Sequence, residues 1–262
     1  MKITKALDLW RKGWSLNVAS EMAYRASFFL IVFSLIVSDL IGPLVGFFIY
    51  SSSNGIPGWT FIEFLLFEGV IIFVFGFWHT FIGGLSWVAQ DLINEGEFDF
   101  IMLKPFYILM NIAALGTDFH GLTEVIIGLV LMVFAIVQLN LFGVMLIPFI
   151  ILIILALIFM LSMSILLAAL AVIFVKVGAL QGIIWTMSDM VAYPLTIYTP
   201  GVRFFLTFIL PAGIASYWPA AILVGKEPLS TVWLVSIPVF AFLAFSLIAW
   251  ELAMRRYQSA GG

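Results

Sequence analysis

The sequence predicts an all-α integral membrane protein. The expected architecture is six transmembrane helices, an N-terminal amphipathic interface helix, a cytoplasmic elbow after span 2 and a re-entrant or surface hairpin before span 6. Three observations predict it. Hydrophobic side chains make up 64% of the 262 residues and charged ones 10%, against about 45–50% and about 25% in soluble domains. The stretch Val125 to Val175 runs 51 residues without a charge, enough for two crossings at about 20 residues each. The few basic residues also segregate along the chain in a way that fixes a topology. Net charge is −3, which argues against a nucleic-acid partner. Cysteine is absent, which excludes disulfides, thiolate metal sites and cysteine nucleophiles.

The elements follow in order. Residues 1–25 are expected to form the cytoplasmic interface helix. Ile3, Leu7, Trp10, Trp14, Val18 and Met22 recur at helical spacing, with Lys5, Asp8, Arg11, Lys12 and Ser15 largely between them. Such a mixed start does not read as a secretory signal; it suits a helix lying in the membrane surface. Residues 26–262 are expected to form one six-span domain, with spans near 26–50, 59–83, 122–138, 144–175, 177–199 and 229–250. The link 51–58 (SSSNGIPG) and the interruption 138–143 (QLNLFG) are made of turn residues. Pro194 and Pro238 should kink their spans.

Residues 204–225 lack charge and are long enough to cross, but they carry Pro211, Gly213 and Pro219. With six spans, Lys2, Lys5, Arg11, Lys12, Arg25, Lys104, Lys176, Arg255 and Arg256 all lie inside, and only Arg203 and Lys226 lie outside. A seventh crossing would destroy that bias. Residues 204–225 are therefore read as an outer broken hairpin, buried in protein or lining a wet cavity.

Residues 84–119 form the one large cytoplasmic connection. Its middle, 90–105, carries four acids, Asp91, Glu95, Glu97 and Asp99, beside an apolar set of Leu92, Ile93, Phe98, Ile101, Met102 and Leu103. Gly96 permits a bend between two short helices, and Pro105 ends the second. An acidic, partly apolar elbow suits the docking of a cytoplasmic partner. It equally suits packing on the chain's own interface helix.

Several chemistries are missing. The only Gly-Lys step, Gly225-Lys226, is followed by Glu227, so there is no phosphate-cradling P-loop. Two histidines, His79 and His120, without an HExxH pattern predict no metal site. No nucleophile elbow is present. The energy for any transport must come from another subunit or an ion gradient.

Ionisable groups at membrane depth are costly and mark function by default. Asp39, Glu63, Glu68, His79 and Asp189 fall there, with no evident basic partner at similar depth. Glu68, Asp189 and Asp39 are expected to line an acidic pathway for a cationic amphiphile, with Trp185 and Tyr193 adding cation–π attraction. The competing reading is hydrogen bonding between helices. Gly42–Gly46 and Gly178–Gly182 each have the spacing that lets helices approach closely.

The elbow resembles the signature of type-2 ABC exporter permeases, in the compact six-helix branch that pairs with a separate ATPase. The matching residues are Gly96, Asp99, Leu103, Lys104 and Pro105. Tyr193-Pro194, Leu210-Pro211, Tyr217-Trp218-Pro219, Trp250 and Arg256-Tyr257-Gln258-Ser259 add to it, and the layout of the whole chain agrees. The resemblance implies an ABC exporter permease subunit with no ATPase site of its own. Two cytoplasmic ATPase subunits would bind ATP and Mg and dock at Asp91, Glu95, Gly96, Glu97, Phe98, Asp99, Leu103, Lys104 and Pro105. A second permease, identical or sister, would complete the dimer in a prokaryotic cell membrane, with both termini cytoplasmic. The alternatives are a secondary transporter or channel, although no internal repeat supports one, or a permease for a lipid or glycan.

Overall fold

The computed structural model describes residues 11, 15, 24–105, 107–174 and 178–257, with the backbone alone at 178–181 and 183. The expected interface helix, Phe106, Lys176 and the final Gln258-Ser259 therefore lie wholly or mostly outside the described residues. Everything regular among the described residues is helical. We number the helices α1 (Arg25–Ser52), α2 (Phe61–Phe81), α3 (Gly84–Asn94), α4 (Phe98–Met102), α5 (Ile108–Leu115), α6 (Gly121–Gln138), α7 (Leu146–Phe174), α8 (Gly178–Val191), α9 (Pro200–Phe204), α10 (Tyr217–Leu223) and α11 (Thr231–Arg256).

Among these residues five helices are long and apolar enough to cross a membrane: α1, the 34-residue run Phe61–Asn94 that joins α2 to α3, α6, α7 and α11. This differs from the expectation in two places. The second span does not stop at a loop; α3 prolongs it after a break at Ile82–Gly83. The expected span 177–199 holds α8, whose 14 residues end at Val191. At 1.5 Å per residue the described part of α8 covers about 21 Å. Pro194 sets its end. It disfavours helical backbone at the residue before it and lacks an N–H. The chain instead makes a 3-10 turn at Leu195–Ile197, and α9 starts afresh with Pro200 in its first turn. Pro238, by contrast, lies inside a continuous α11.

The centre of the bundle is the antiparallel pair α2 and α6, joined through glycines seven residues apart on both helices. A Cβ on Gly69 would stand 2.8 Å from the Met132 backbone nitrogen, and one on Gly76 would stand 2.6 Å from that of Val125. Gly121 faces Thr80, and Gly128 faces the Phe73 backbone. No side chain fits there, because the obstacle is main chain. The spacing is two helical turns, so the four glycines form one seam. The Gly42–Gly46 pair plays a smaller part, seating α1 on the Glu68 and Phe64 side chains. Among the described residues nothing lies within 4 Å of a Cβ on Gly182.

The main core forms around α2 and α7 and includes the segment expected as a broken hairpin. In that segment α9 runs into a π-turn at Phe205–Ile209, then a 3-10 turn at Ala212–Ala215, then α10. Pro211 to Leu223 are all buried, with Tyr217 and Trp218 among the core side chains. A second, smaller core lies at the other end of α2. There Leu85, Ala89 and Ile93 of α3 and Phe98 and Ile101 of α4 meet Ile165, Ala168, Ala169 and Val172 of α7 and Ala253 of α11.

The seam predicts that Gly128→Val lowers stability by about 1–3 kcal/mol or more, as overpacking does. Gly182→Val should leave it within about 0.5 kcal/mol. Thermal unfolding of the detergent-solubilised variants measures the difference.

Candidate functional site

The seam positions a cavity of about 290 Å³ between α1, α2, α6 and α8. Its polar wall is formed by Asp39 and Ser38 of α1, Glu68 and His79 of α2, Glu124 of α6 and Ser188 of α8. Phe75, Trp78 and Trp185 supply aromatic faces. The Trp78 indole N–H donates to Ser164 Oγ at 2.8 Å, which fixes that ring against α7.

Glu68 is the least exposed acid of the cavity, at 7%. Its carboxylate rests against the bare backbone of Gly42. Among the described residues no hydrogen bond or ion pair reaches it. Asp39 Oδ2 is buried with no hydrogen-bond partner either. Two carboxyl groups without donors, facing one space, form an environment that favours a cation.

His79 closes the end of the cavity nearest α3. Its Nδ1 lies 3.0 Å from Glu124 Oε1 and its Nε2 3.6 Å from Asp118 Oδ2. Asp118 also accepts the His120 backbone N–H at 2.9 Å, and its Oδ1 lies 2.8 Å from His120 Nδ1. Among the described residues no group of three or more His, Cys, Asp and Glu side chains could hold a metal.

Of the expected pathway residues, the structure brings Asp39, Glu68 and Trp185 together. It leaves out two. Asp189 follows Ser188 and lies about 100° further round α8, on the exposed side. Tyr193 lies beyond the end of α8 and is exposed. Glu124 was missed, because it stands just outside the charge-free run. Its position relative to the glycines would have found it: it is three residues after Gly121 and four before Gly128, on the face that meets α2.

The expectation that the buried acids lack basic partners fails at one of them, Glu63. Glu63 forms a capping box with Thr60 at the start of α2 and accepts from Lys226 Nζ at 2.9 Å. Lys226 also sits 5.0 Å from the Trp59 ring centre. Nearby, Arg203 pairs with Glu227, which accepts the Tyr217 hydroxyl at 2.8 Å. Lys226 thus ties the hairpin to α2, and Arg203 closes the hairpin on itself. Sequence distance hides such pairs.

The second candidate region is the α3–α4 turn. Gly96 takes φ +74°, and Glu97 N–H donates back to Leu92 O at 2.8 Å. The turn separates two faces. Ile93, Phe98 and Ile101 are buried, with the Phe98 ring 5.0 Å from that of Tyr257. Burial and the hydrogen-bonded Asp99 carboxylate raise the Tyr257 phenol above its ordinary range. Asp91, Glu95, Glu97, Phe100, Leu103, Lys104 and Pro105 face outward. Phe98, expected among the docking residues, is therefore an internal anchor, and Phe100 is the exposed ring beside the acids. The apolar face packs on α7 and α11.

A family model described as ABC-2 family transporter protein matches residues 24–261. No curated protein and no solved structure matches the chain.

The two faces of the turn predict opposite outcomes for neighbouring phenylalanines. Phe98→Ala should cost about 3–5 kcal/mol, as for other buried rings. Phe100→Ala should change stability by no more than about 0.5 kcal/mol. Thermal unfolding of the two variants side by side distinguishes them.

Proposed function

Since the chain belongs to the ABC-2 transporter family, we propose that it is the permease subunit of an ABC exporter and that its cavity receives a cationic amphiphilic small molecule. The observation that carries the substrate class is Glu68, a carboxyl group 7% exposed and without a partner among the described residues, facing a cavity with aromatic walls. A cation entering there compensates the buried charge and meets the faces of Phe75, Trp78 and Trp185. Asp39 shares the load from α1.

Energy comes from two cytoplasmic ATPase subunits that bind ATP and Mg. They dock on the outward face of the α3–α4 turn: Asp91, Glu95 and Glu97 supply charge, and Leu103 with Phe100 supplies apolar contact. The rigid inner face of the turn, anchored by Phe98 on α7 and α11, lets a push on the turn reach the spans. A second permease, identical or sister, completes the assembly in a prokaryotic cell membrane, with the turn and both termini on the cytoplasmic side.

Two measurements test this. Double charge reversal, Asp91→Lys with Glu97→Lys, should abolish co-purification of the ATPase while the permease still inserts and folds. In the intact complex, Glu68→Gln and Asp39→Asn should lose most of the ATPase stimulation by ethidium, and Asp189→Asn should keep it. Equal stimulation in all three variants overturns the cavity as the substrate site.

A further inference from the structure

The cavity has more acid in its wall than base. Among the described residues, Asp39 from α1, Glu68 from α2 and Glu124 from α6 face it, against one titratable base, His79. The remaining wall element, α8, contributes Ser188 and Trp185, and its Asp189 points away. Even a charged His79 balances one carboxylate of the three. When the cavity holds no cation, protons must neutralise the rest.

Those protons have a route. Asp39 lies within electrostatic reach of both Glu124 and His79. Glu124 meets His79 Nδ1 at 3.0 Å, and His79 Nε2 faces Asp118 at 3.6 Å. Side-chain exposure climbs along this row, from 13% at Glu124 to 23% at His79 and 33% at Asp118. The row thus begins in the cavity and ends at a partly exposed carboxylate, which His120 holds in place from its own side at 2.8 Å. An imidazole bonded to one carboxylate through Nδ1, with a second carboxylate 3.6 Å from Nε2 and within reach of a bridging water, can take a proton on one nitrogen and release the other.

We propose that a cation entering the cavity is exchanged for a proton, and that Glu124, His79 and Asp118 carry this proton to the surface. The step balances: a protonated carboxyl group in the cavity becomes a carboxylate paired with the bound cation, and one proton appears in solution. In transit, His79 accepts on Nδ1 from the Glu124 side and gives up the Nε2 proton towards Asp118. When the cation leaves, a proton returns along the same row and restores the starting tautomer. The inference rests on the cationic-cavity reading above and adds its coupling to protons.

The test uses the permease–ATPase complex in lipid nanodiscs with ethidium, whose charge does not change with pH. Calorimetry in buffers of different ionisation heat should show about one proton released per ethidium bound, and affinity should rise with pH by up to about tenfold per unit. In stopped-flow with a soluble pH dye, release should keep pace with binding in the native complex. It should lag behind binding in Asp118→Asn and in His79→Gln. Asp118 is partly exposed and outside the cavity wall, so its variant remains informative if His79→Gln folds poorly. No ethidium binding by the native complex overturns the cationic cavity itself. Binding without proton release, at an affinity independent of pH, overturns this inference alone. Release that keeps pace with binding in Asp118→Asn overturns the route.

Discussion

The close contact of α2 with α6 is the constraint on which the other features depend. Four glycines at two-turn spacing bring the two backbones within a distance no side chain allows. The consequence is polar as well as steric. Glu124 stands on the seam face of α6 between two of the glycines, so it is pressed into the groove beside His79. The same approach sets Glu68 opposite α1, where Gly42 leaves room for its carboxylate. The cavity and its row of titratable groups are therefore by-products of one packing decision. Because the seam is main chain against main chain, α2 and α6 cannot slide by a single turn without driving side chains into backbone. They behave as one body.

Much of this was legible in the chain. The 51-residue charge-free run divides where QLNLFG predicts, and α6 and α7 fall on either side. Those signals are local: hydrophobic length, a turn-forming hexapeptide, and glycine beside acids at the α3–α4 turn. The length of the fifth segment was not legible. Its hydropathy continues past Pro194, and only the cost of proline inside a helix ends α8 at Val191.

The site was legible in part, and for a similar reason. Glu68 and Asp39 stand out because a charge in an apolar run is rare, and both line the cavity. Asp189 stands out equally but lies on the exposed side of α8. A charge in a span marks a costly position without saying which side of the helix the cavity will occupy. Partnerships were harder still. Glu63 and Lys226 are 163 positions apart, as are no two residues a local pattern could join. Phe98 and Phe100 differ by two residues, which on a short helix is the difference between core and surface.

The burial of Pro211 to Leu223 bears on how the protein is made. These residues form a piece too short and too broken by proline to enter a bilayer as a span of its own. Their surroundings, the upper half of α2 and the middle of α7, are earlier in the chain and exist before the piece emerges. The two outer ion pairs, Glu63 with Lys226 and Arg203 with Glu227, can close only once that piece has settled. Assembly thus has an order written into it. A receptor of long helices forms first, a folded plug enters it, and α11, later in the chain, packs on α7 beside it. The backbone groups of the plug's turns are met by protein rather than lipid only once that order is complete.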